Sequence, residues 1–167
     1  MAEAAMTPPA PLLVFAWGNR SRGDDALGPL FVERLRAAPH DPARVELFDD
    51  HQLMIEHVLD LQGRERVLFV DAGRACAAPF EATVVAPGAD ASVGSHRLSP
   101  AALLHVYAGV LGGDPPPCVL LAIRGEAFEL GAEPSAAALG HLDAALRWAQ
   151  GWLRAAPAVR AGAATDV

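Results

Sequence analysis

The apolar residues of this chain fall into two kinds of segment, which alternate along most of its length. Short continuous apolar runs are typical of strands that are covered on both faces, and they occupy residues 12–17, 45–48, 67–70 and 119–123. Segments with apolar residues at helical spacing follow, and they start at Leu27, Leu53, Leu103 and Leu139. Residues 80–86 mostly alternate between apolar and polar, which predicts an edge or antiparallel strand.

This alternation predicts the fold class and the extent of the domain. Strands that alternate with helices favour an α/β fold: a three-layer sandwich of a twisted, mainly parallel sheet of about five strands with helices on both faces. Ser99 and Pro100 have the residue types of a helix N-cap and first helical position. We expect a single domain over residues 11–154, a flexible N-terminus over 1–10 and a disordered Ala-rich tail over 155–167.

Composition and charge exclude several classes of function. The chain has 167 residues and a net charge of −7, which disfavours binding to nucleic acid or to an anionic membrane, because both need a basic surface. Its two cysteines form no CxxC pair, and no apolar run approaches the roughly 20 residues that span a bilayer. We expect no membrane partner, no nucleic-acid partner and a cytoplasmic location.

Carboxylates follow the predicted strands at the end where α/β proteins bind ligands. Asp24 and Asp25 follow the first strand, Asp49 and Asp50 the second, and Asp71 the third. His96 precedes a predicted helix start. Each residue alone has an ordinary explanation, such as a helix cap or a turn. Their joint placement instead predicts a site formed by Asp25, Asp71 and His96.

The loop between the first strand and the first helix is the place where many proteins bind phosphate. Gly18 and Gly23 have the spacing of a P-loop, but Asp24 and Asp25 stand where that motif needs Lys and Ser or Thr. Two acids at a helix start repel phosphate, so we expect no nucleotide. Two carboxylates and an imidazole form a mixed oxygen and nitrogen ligand set, which suits a divalent ion such as nickel, zinc or manganese.

The same residues carry a resemblance to a known family. Gly18-Asn19 followed by Gly23-Asp-Asp-Ala-Leu-Gly28 resembles the GNxxxxDDGxG signature of the NiFe hydrogenase maturation proteases. The apolar strand ending at Asp71, the segment from His96 to Pro100 and the Pro-rich turn before residue 119 continue the resemblance, which covers roughly residues 11–153.

The resemblance implies a function for each of these residues. Family members are endopeptidases that remove the C-terminal extension of the hydrogenase large-subunit precursor, and their acid, Asp and His positions fall here on Asp25, Asp71 and His96. These three residues are expected to recognise nickel that is already installed in the substrate, so the metal is not a resident cofactor. We assign catalysis to Asp25 and Asp71, and substrate binding to Gly18, Asn19 and Asp24.

The sequence leaves the mechanism and two alternative functions open. A carboxylate could activate water beside the substrate's nickel, or an acid pair could act without a metal. Of the adjacent acids, Asp24 is expected to cap the helix and Asp25 to face the metal. The alternative functions are a non-catalytic chaperone that binds the precursor or a metal, and an unrelated metal-dependent hydrolase of small molecules.

Overall fold

A five-stranded sheet forms the centre of the protein, whose computed structural model describes residues 7–89 and 98–155. The strands are β1 (Leu12–Trp17), β2 (Val45–Asp50), β3 (Arg66–Gly73), β4 (Phe80–Val85) and β5 (Cys118–Arg124). Their order across the sheet is β2-β1-β3-β5-β4. All neighbouring strands are parallel except β4, which runs antiparallel to β5 at one edge.

Helices cover both faces of this sheet and produce two separate cores. The helices are α1 (Leu27–Ala37), α2 (Pro100–Val110) and α3 (Ala136–Arg154), and two 3₁₀ segments lie at Gly23–Ala26 and Ile55–Leu61. On one face α1 and α3 pack around Phe31 and Leu142. On the other face the second 3₁₀ segment and α2 pack around Phe15 and Phe69. The predicted three-layer α/β sandwich is therefore confirmed.

The order of the strands creates a crevice at one end of the sheet. From β1 the chain passes to β2 on one side, and it then crosses to β3 on the other side of β1. Adjacent connections therefore leave β1 and β3 in opposite directions, which opens a gap beyond their carboxyl ends, where ligands bind in open α/β sheets. Asp25 follows β1, and Asp71 lies near the carboxyl end of β3, so both acids lie at this gap.

Most predicted elements agree with the structure. The spacing from Leu53 to Leu61 predicts a helix without specifying its type, and residues Ile55–Leu61 form a helix of 3₁₀ geometry. His57 N–H donates to Met54 O three residues back, whereas an α-helix would use the fourth. Seven residues form only a short helix, and short helices often adopt this tighter geometry. Ser99 caps α2 as predicted, since its hydroxyl accepts from Ala102 N.

None of the helices within residues 7–89 and 98–155 combines the length and apolar character that crossing a bilayer requires.

Candidate active site

Asp25 and Asp71 line the same pocket, at the crevice between β1 and β3. Both side chains are half-buried, so each can reach a ligand in the pocket. Asp25 comes from the 3₁₀ segment after β1, while Asp71 pairs in register with Ala122 of β5. The two acids are 46 positions apart in the chain, and the parallel sheet brings their ends together.

Asp25 is held in place by the loop that precedes it. Its Oδ2 accepts a hydrogen bond of 2.9 Å from the backbone N–H of Asn19. Asn19 in turn uses its side-chain oxygen to accept from Ser21 N at 2.9 Å. Among the described residues this is the one donor to the Asp25 carboxylate, which has further acceptor positions for a ligand. Asn19 therefore positions Asp25, a role that is separate from the substrate binding assigned to it above.

Asp24 is buried, whereas the adjacent Asp25 is half-buried, and the structure corrects two predictions about Asp24. Its side chain has 0% exposure, so it cannot contact a substrate. It makes no cap to the following helix, because neither the 3₁₀ segment nor α1 has a side-chain cap bond. The carboxylate instead accepts four hydrogen bonds of 2.6 to 2.9 Å, from Glu126 N, Ala127 N, Ser135 N and Ser135 Oγ.

These four bonds join the first loop of the chain to the loop between β5 and α3. Burial by itself would raise the pKa of Asp24, but the hydrogen bonds from Ala127, Glu126 and Ser135 outweigh it and hold the pKa below its usual range. Ser135 is also the N-cap of α3, and its hydroxyl accepts from Ala138 N at 3.2 Å. Asp24 thus fixes the start of α3 rather than the start of α1.

Cysteine chemistry does not fit this site, although Cys76 lies near it. The Cys76 thiol donates to Ala122 O at 3.5 Å, and its burial raises its pKa, so the reactive thiolate is disfavoured. Burial also raises the pKa of Cys118, to about 12.

Asp71 Oδ1 accepts from Ala72 N at 2.8 Å, which orients the carboxylate at the end of β3.

The 3₁₀ segment Ile55–Leu61 contains a buried histidine that contacts the end of β2. His57 Nδ1 accepts from Met54 N at 2.9 Å, which leaves the ring proton on Nε2 to donate to Asp50 Oδ2 at 3.1 Å. The ring packs edge-on against Phe15, 4.6 Å between centroids. His57 is therefore a structural residue, held between the 3₁₀ segment and β2. Asp50 is used here too, and so does not join the pocket of Asp25 and Asp71.

Sequence reasoning missed two arginines and a histidine at the crevice. Arg22 and Arg74 line the pocket that contains both acids. Arg22 and His51 also line a neighbouring pocket, which shares Asp25 and includes Trp17. These residues belong to no known motif, and the sequence of the loop around Arg22 was compared only with phosphate-binding motifs. Asp25 and Arg22 therefore lie where the two pockets meet.

Two of the three residues predicted to bind a metal, Asp25 and Asp71, lie within the described residues. Within residues 7–89 and 98–155, no group of three or more His, Cys, Asp and Glu side chains comes together in a way that could hold a metal ion. Asp25 and Asp71 supply two oxygen ligands from one pocket. His96, the third residue of the predicted set, lies outside the described residues.

Gly18 ends β1 in a conformation that requires glycine. It has φ +150°, and a Cβ at this position would lie 2.0 Å from Asp25 O. The Gly18 N–H donates to Asp50 O at 3.2 Å, and Gly18 is buried. Gly18 therefore brings the backbone of β1 against the turn that carries Asp25. Substrate binding by Gly18 stays a prediction.

We predict that Gly18→Ala displaces the turn of Asp25 and lowers the free energy of unfolding by about 3 kcal/mol, since both backbone strain and a backbone clash result. Urea denaturation followed by circular dichroism measures this loss. Gly140→Ala on α3 is the control, because a Cβ there meets nothing within 4 Å. An unchanged midpoint for Gly18→Ala would show that the turn yields without cost.

Solved structures of other proteins share this architecture. The hydrogenase maturation protease HycI from Thermococcus kodakarensis is similar with a TM-score of 0.68 and 22% identity, over 90% of this chain and 96% of that one. The hydrogenase maturating endopeptidase HybD from E. coli gives 0.69 and 23%, over 86% and 91%. An endopeptidase HycI from Escherichia coli gives 0.62 and 21%, over 90% and 99%.

These similarities confirm the predicted resemblance at the level of the fold. No protein-family model matches the chain, and no curated protein matches its sequence. At identities of 21% to 23% the likeness establishes that this chain has the fold of the hydrogenase maturation proteases. Its activity has to be argued from the site.

Proposed function

We propose that this protein is an endopeptidase that removes the C-terminal extension of a hydrogenase large-subunit precursor after nickel has been inserted. The observation that carries the proposal is the pocket shared by Asp25 and Asp71, in a chain with the fold of hydrogenase maturation proteases. Both acids stand at the switch point of the sheet, where this class of fold binds its ligands.

The substrate's nickel would bind to Asp25 and Asp71, with His96 as a third ligand in the proposal. Nickel accepts imidazole nitrogen and carboxylate oxygen, so the donor set suits this metal. The partial exposure of both side chains, in a pocket that they share, supports the proposal. The metal belongs to the substrate, and the enzyme itself needs no resident ion.

One of the two acids then has a second task, which is to take a proton from the attacking water. A carboxylate near the scissile bond is a suitable general base, and it can return the proton to the leaving amine. Neither carboxylate is buried as Asp24 is, so both can exchange protons with the pocket. The distinction between the neighbouring acids is therefore functional: Asp24 supports the site, and Asp25 acts in it.

The test compares two forms of one substrate. A large-subunit precursor with its C-terminal extension is prepared with nickel and without it, and each form is incubated with the purified protein. Mass spectrometry is expected to show loss of the extension only from the nickel-loaded form, because the metal completes the contacts to Asp25 and Asp71. Equal cleavage of both forms would contradict nickel recognition, and cleavage of neither would contradict the endopeptidase.

A further inference from the structure

Two guanidinium groups accompany the two acids in the pocket. Arg22 and Arg74 line it together with Asp25 and Asp71. The chain carries 13 basic residues against 20 acidic ones, so two arginines beside a pair of carboxylates go against its overall charge. The proposed peptide hydrolysis gives the carboxylates a role as base and nickel ligands, and it leaves the arginines without one.

Arg74 is oriented by an aromatic ring. Its guanidinium carbon lies 3.8 Å from the centroid of Phe128, within the range of a cation–π contact. Such stacking uses the flat face of the guanidinium and leaves its in-plane N–H donors directed to the sides. Those donors suit the two oxygens of a carboxylate or the oxygen of a developing anion.

The ring of Phe128 is positioned by the contacts of its own loop with the buried Asp24. It belongs to the loop between β5 and α3, whose Glu126 and Ala127 N–H groups donate to Asp24. A Cβ on Gly125 would lie 2.5 Å from the Phe128 ring and 2.9 Å from Asp24 Cβ, so these groups pack without space between them. The buried acid therefore fixes Phe128, and Phe128 fixes Arg74.

Arg22 lines both the pocket of Asp71 and the neighbouring pocket of Trp17 and His51, as Asp25 does. A peptide bound across both pockets would therefore pass Asp25 and Arg22, the two residues that the pockets share.

Peptide hydrolysis creates negative charge that the acids cannot stabilise. Water adds to the carbonyl carbon, its proton passes to a carboxylate, and the electron pair of the C=O bond moves to oxygen. The C–N bond then breaks as the nitrogen takes that proton, and the new carboxylic acid gives its own proton to the released amine, which leaves a carboxylate at the new chain end. Guanidinium groups placed at this oxygen stabilise the charge as it forms.

We propose that Arg22 and Arg74 form an anion subsite, which binds the scissile carbonyl oxygen as it becomes negative and then the carboxylate of the product. This assignment rests on the proposed endopeptidase. It adds two catalytic residues to Asp25 and Asp71, and it gives Phe128 and Asp24 the role of positioning residues.

The kinetic test replaces each arginine by a residue that cannot carry the charge. Arg74→Gln and Arg22→Gln are each expected to lower kcat on the nickel-loaded precursor by about 100-fold with little change in KM, as for the loss of one oxyanion donor. Arg74→Lys keeps the charge and is expected to recover part of the rate. Arg147→Gln, on the exposed side of α3, is the control. An unchanged kcat in both glutamine variants overturns the proposal.

A binding test separates this inference from the proposed function, because it needs no turnover. Two synthetic peptides with the sequence of the processed large-subunit end are compared, one with a free carboxylate and one with a carboxamide. The carboxylate peptide is expected to bind the wild-type protein about tenfold more tightly by calorimetry, and Arg74→Gln to remove the difference. Equal binding of the two peptides overturns the anion subsite even if the precursor is cleaved. Failure to cleave any precursor counts against the endopeptidase alone.

Discussion

Asp25→Asn and Asp71→Asn are each expected to abolish precursor processing, with a loss of rate of at least about 1000-fold. Each substitution removes from the shared pocket a carboxylate that we propose as a nickel ligand and as the general base. General base catalysis alone contributes roughly 100- to 10,000-fold. Asn preserves the size of the side chain and can still accept the hydrogen bond that Asn19 N donates to Asp25. Single-turnover assays with nickel-loaded precursor measure the effect.

The comparison among variants separates catalysis from folding. Asp25→Asn should remain folded, with a change in stability of about 1 kcal/mol or less, because a single backbone hydrogen bond from the described residues involves its carboxylate. Asp143→Asn serves as the charge-matched control, since Asp143 is an exposed acid on α3 that pairs with Arg34. The double variant Asp25→Asn with Asp71→Asn should be no slower than the poorer single one, because residues that act as a unit are not additive. Processing at a normal rate by either single variant would remove that acid from the mechanism.

The fold could be predicted because its signal is local. Continuous apolar runs such as Leu12–Trp17 become strands buried on both faces, and Ser99 with Pro100 begins a helix as expected. The 3₁₀ geometry of Ile55–Leu61 could not be predicted in this way, because its apolar spacing fits an α-helix too. There the bonds between side chain and backbone at His57 decide the geometry.

The candidate site could be predicted where topology, rather than side-chain packing, sets it. Parallel strands deliver their carboxyl ends to one edge, so Asp25 and Asp71 could be paired from the sequence alone. The roles of Asp24 could not, because its donors Glu126 and Ser135 lie 102 and 111 positions further along the chain. A pair of adjacent acids gives no indication of which one faces inward.

Arg74 shows the same limit from another direction. Its place in the pocket depends on the ring of Phe128, which lies in a loop that has no regular pattern. Arg22 differs, because it lies in the same opening loop as Asp25, three positions before it. A role for Arg22 at the site could therefore have been predicted from the sequence once phosphate binding by this loop had been excluded.

Asp24→Asn is expected to destabilise the protein strongly, because the substitution disrupts all four hydrogen bonds of the buried carboxylate. The Asn side chain offers one acceptor oxygen where four donors converge, and its amide N–H groups would face backbone N–H groups. The free energy of unfolding should fall by about 3 kcal/mol, the upper range for a hydrogen-bonded charge, and the midpoint temperature by about 10 °C. Urea and thermal denaturation measure this loss, with Asp25→Asn as the control for the same change of charge one residue away.

The pH dependence of that loss identifies its cause. The hydrogen bonds hold the pKa of Asp24 below its usual value, so the folded state favours the charged form. A depressed pKa contributes stability that is complete above the unfolded pKa, about 4, and that is lost as the pH falls through the folded value. The difference in unfolding free energy between wild type and Asp24→Asn should therefore be the same at pH 7 and pH 5.5, and it should shrink below about pH 4. A difference that stays constant down to pH 3 would assign the loss to packing rather than to the charge, and Asp24 would then support the loop of Phe128 by its shape alone.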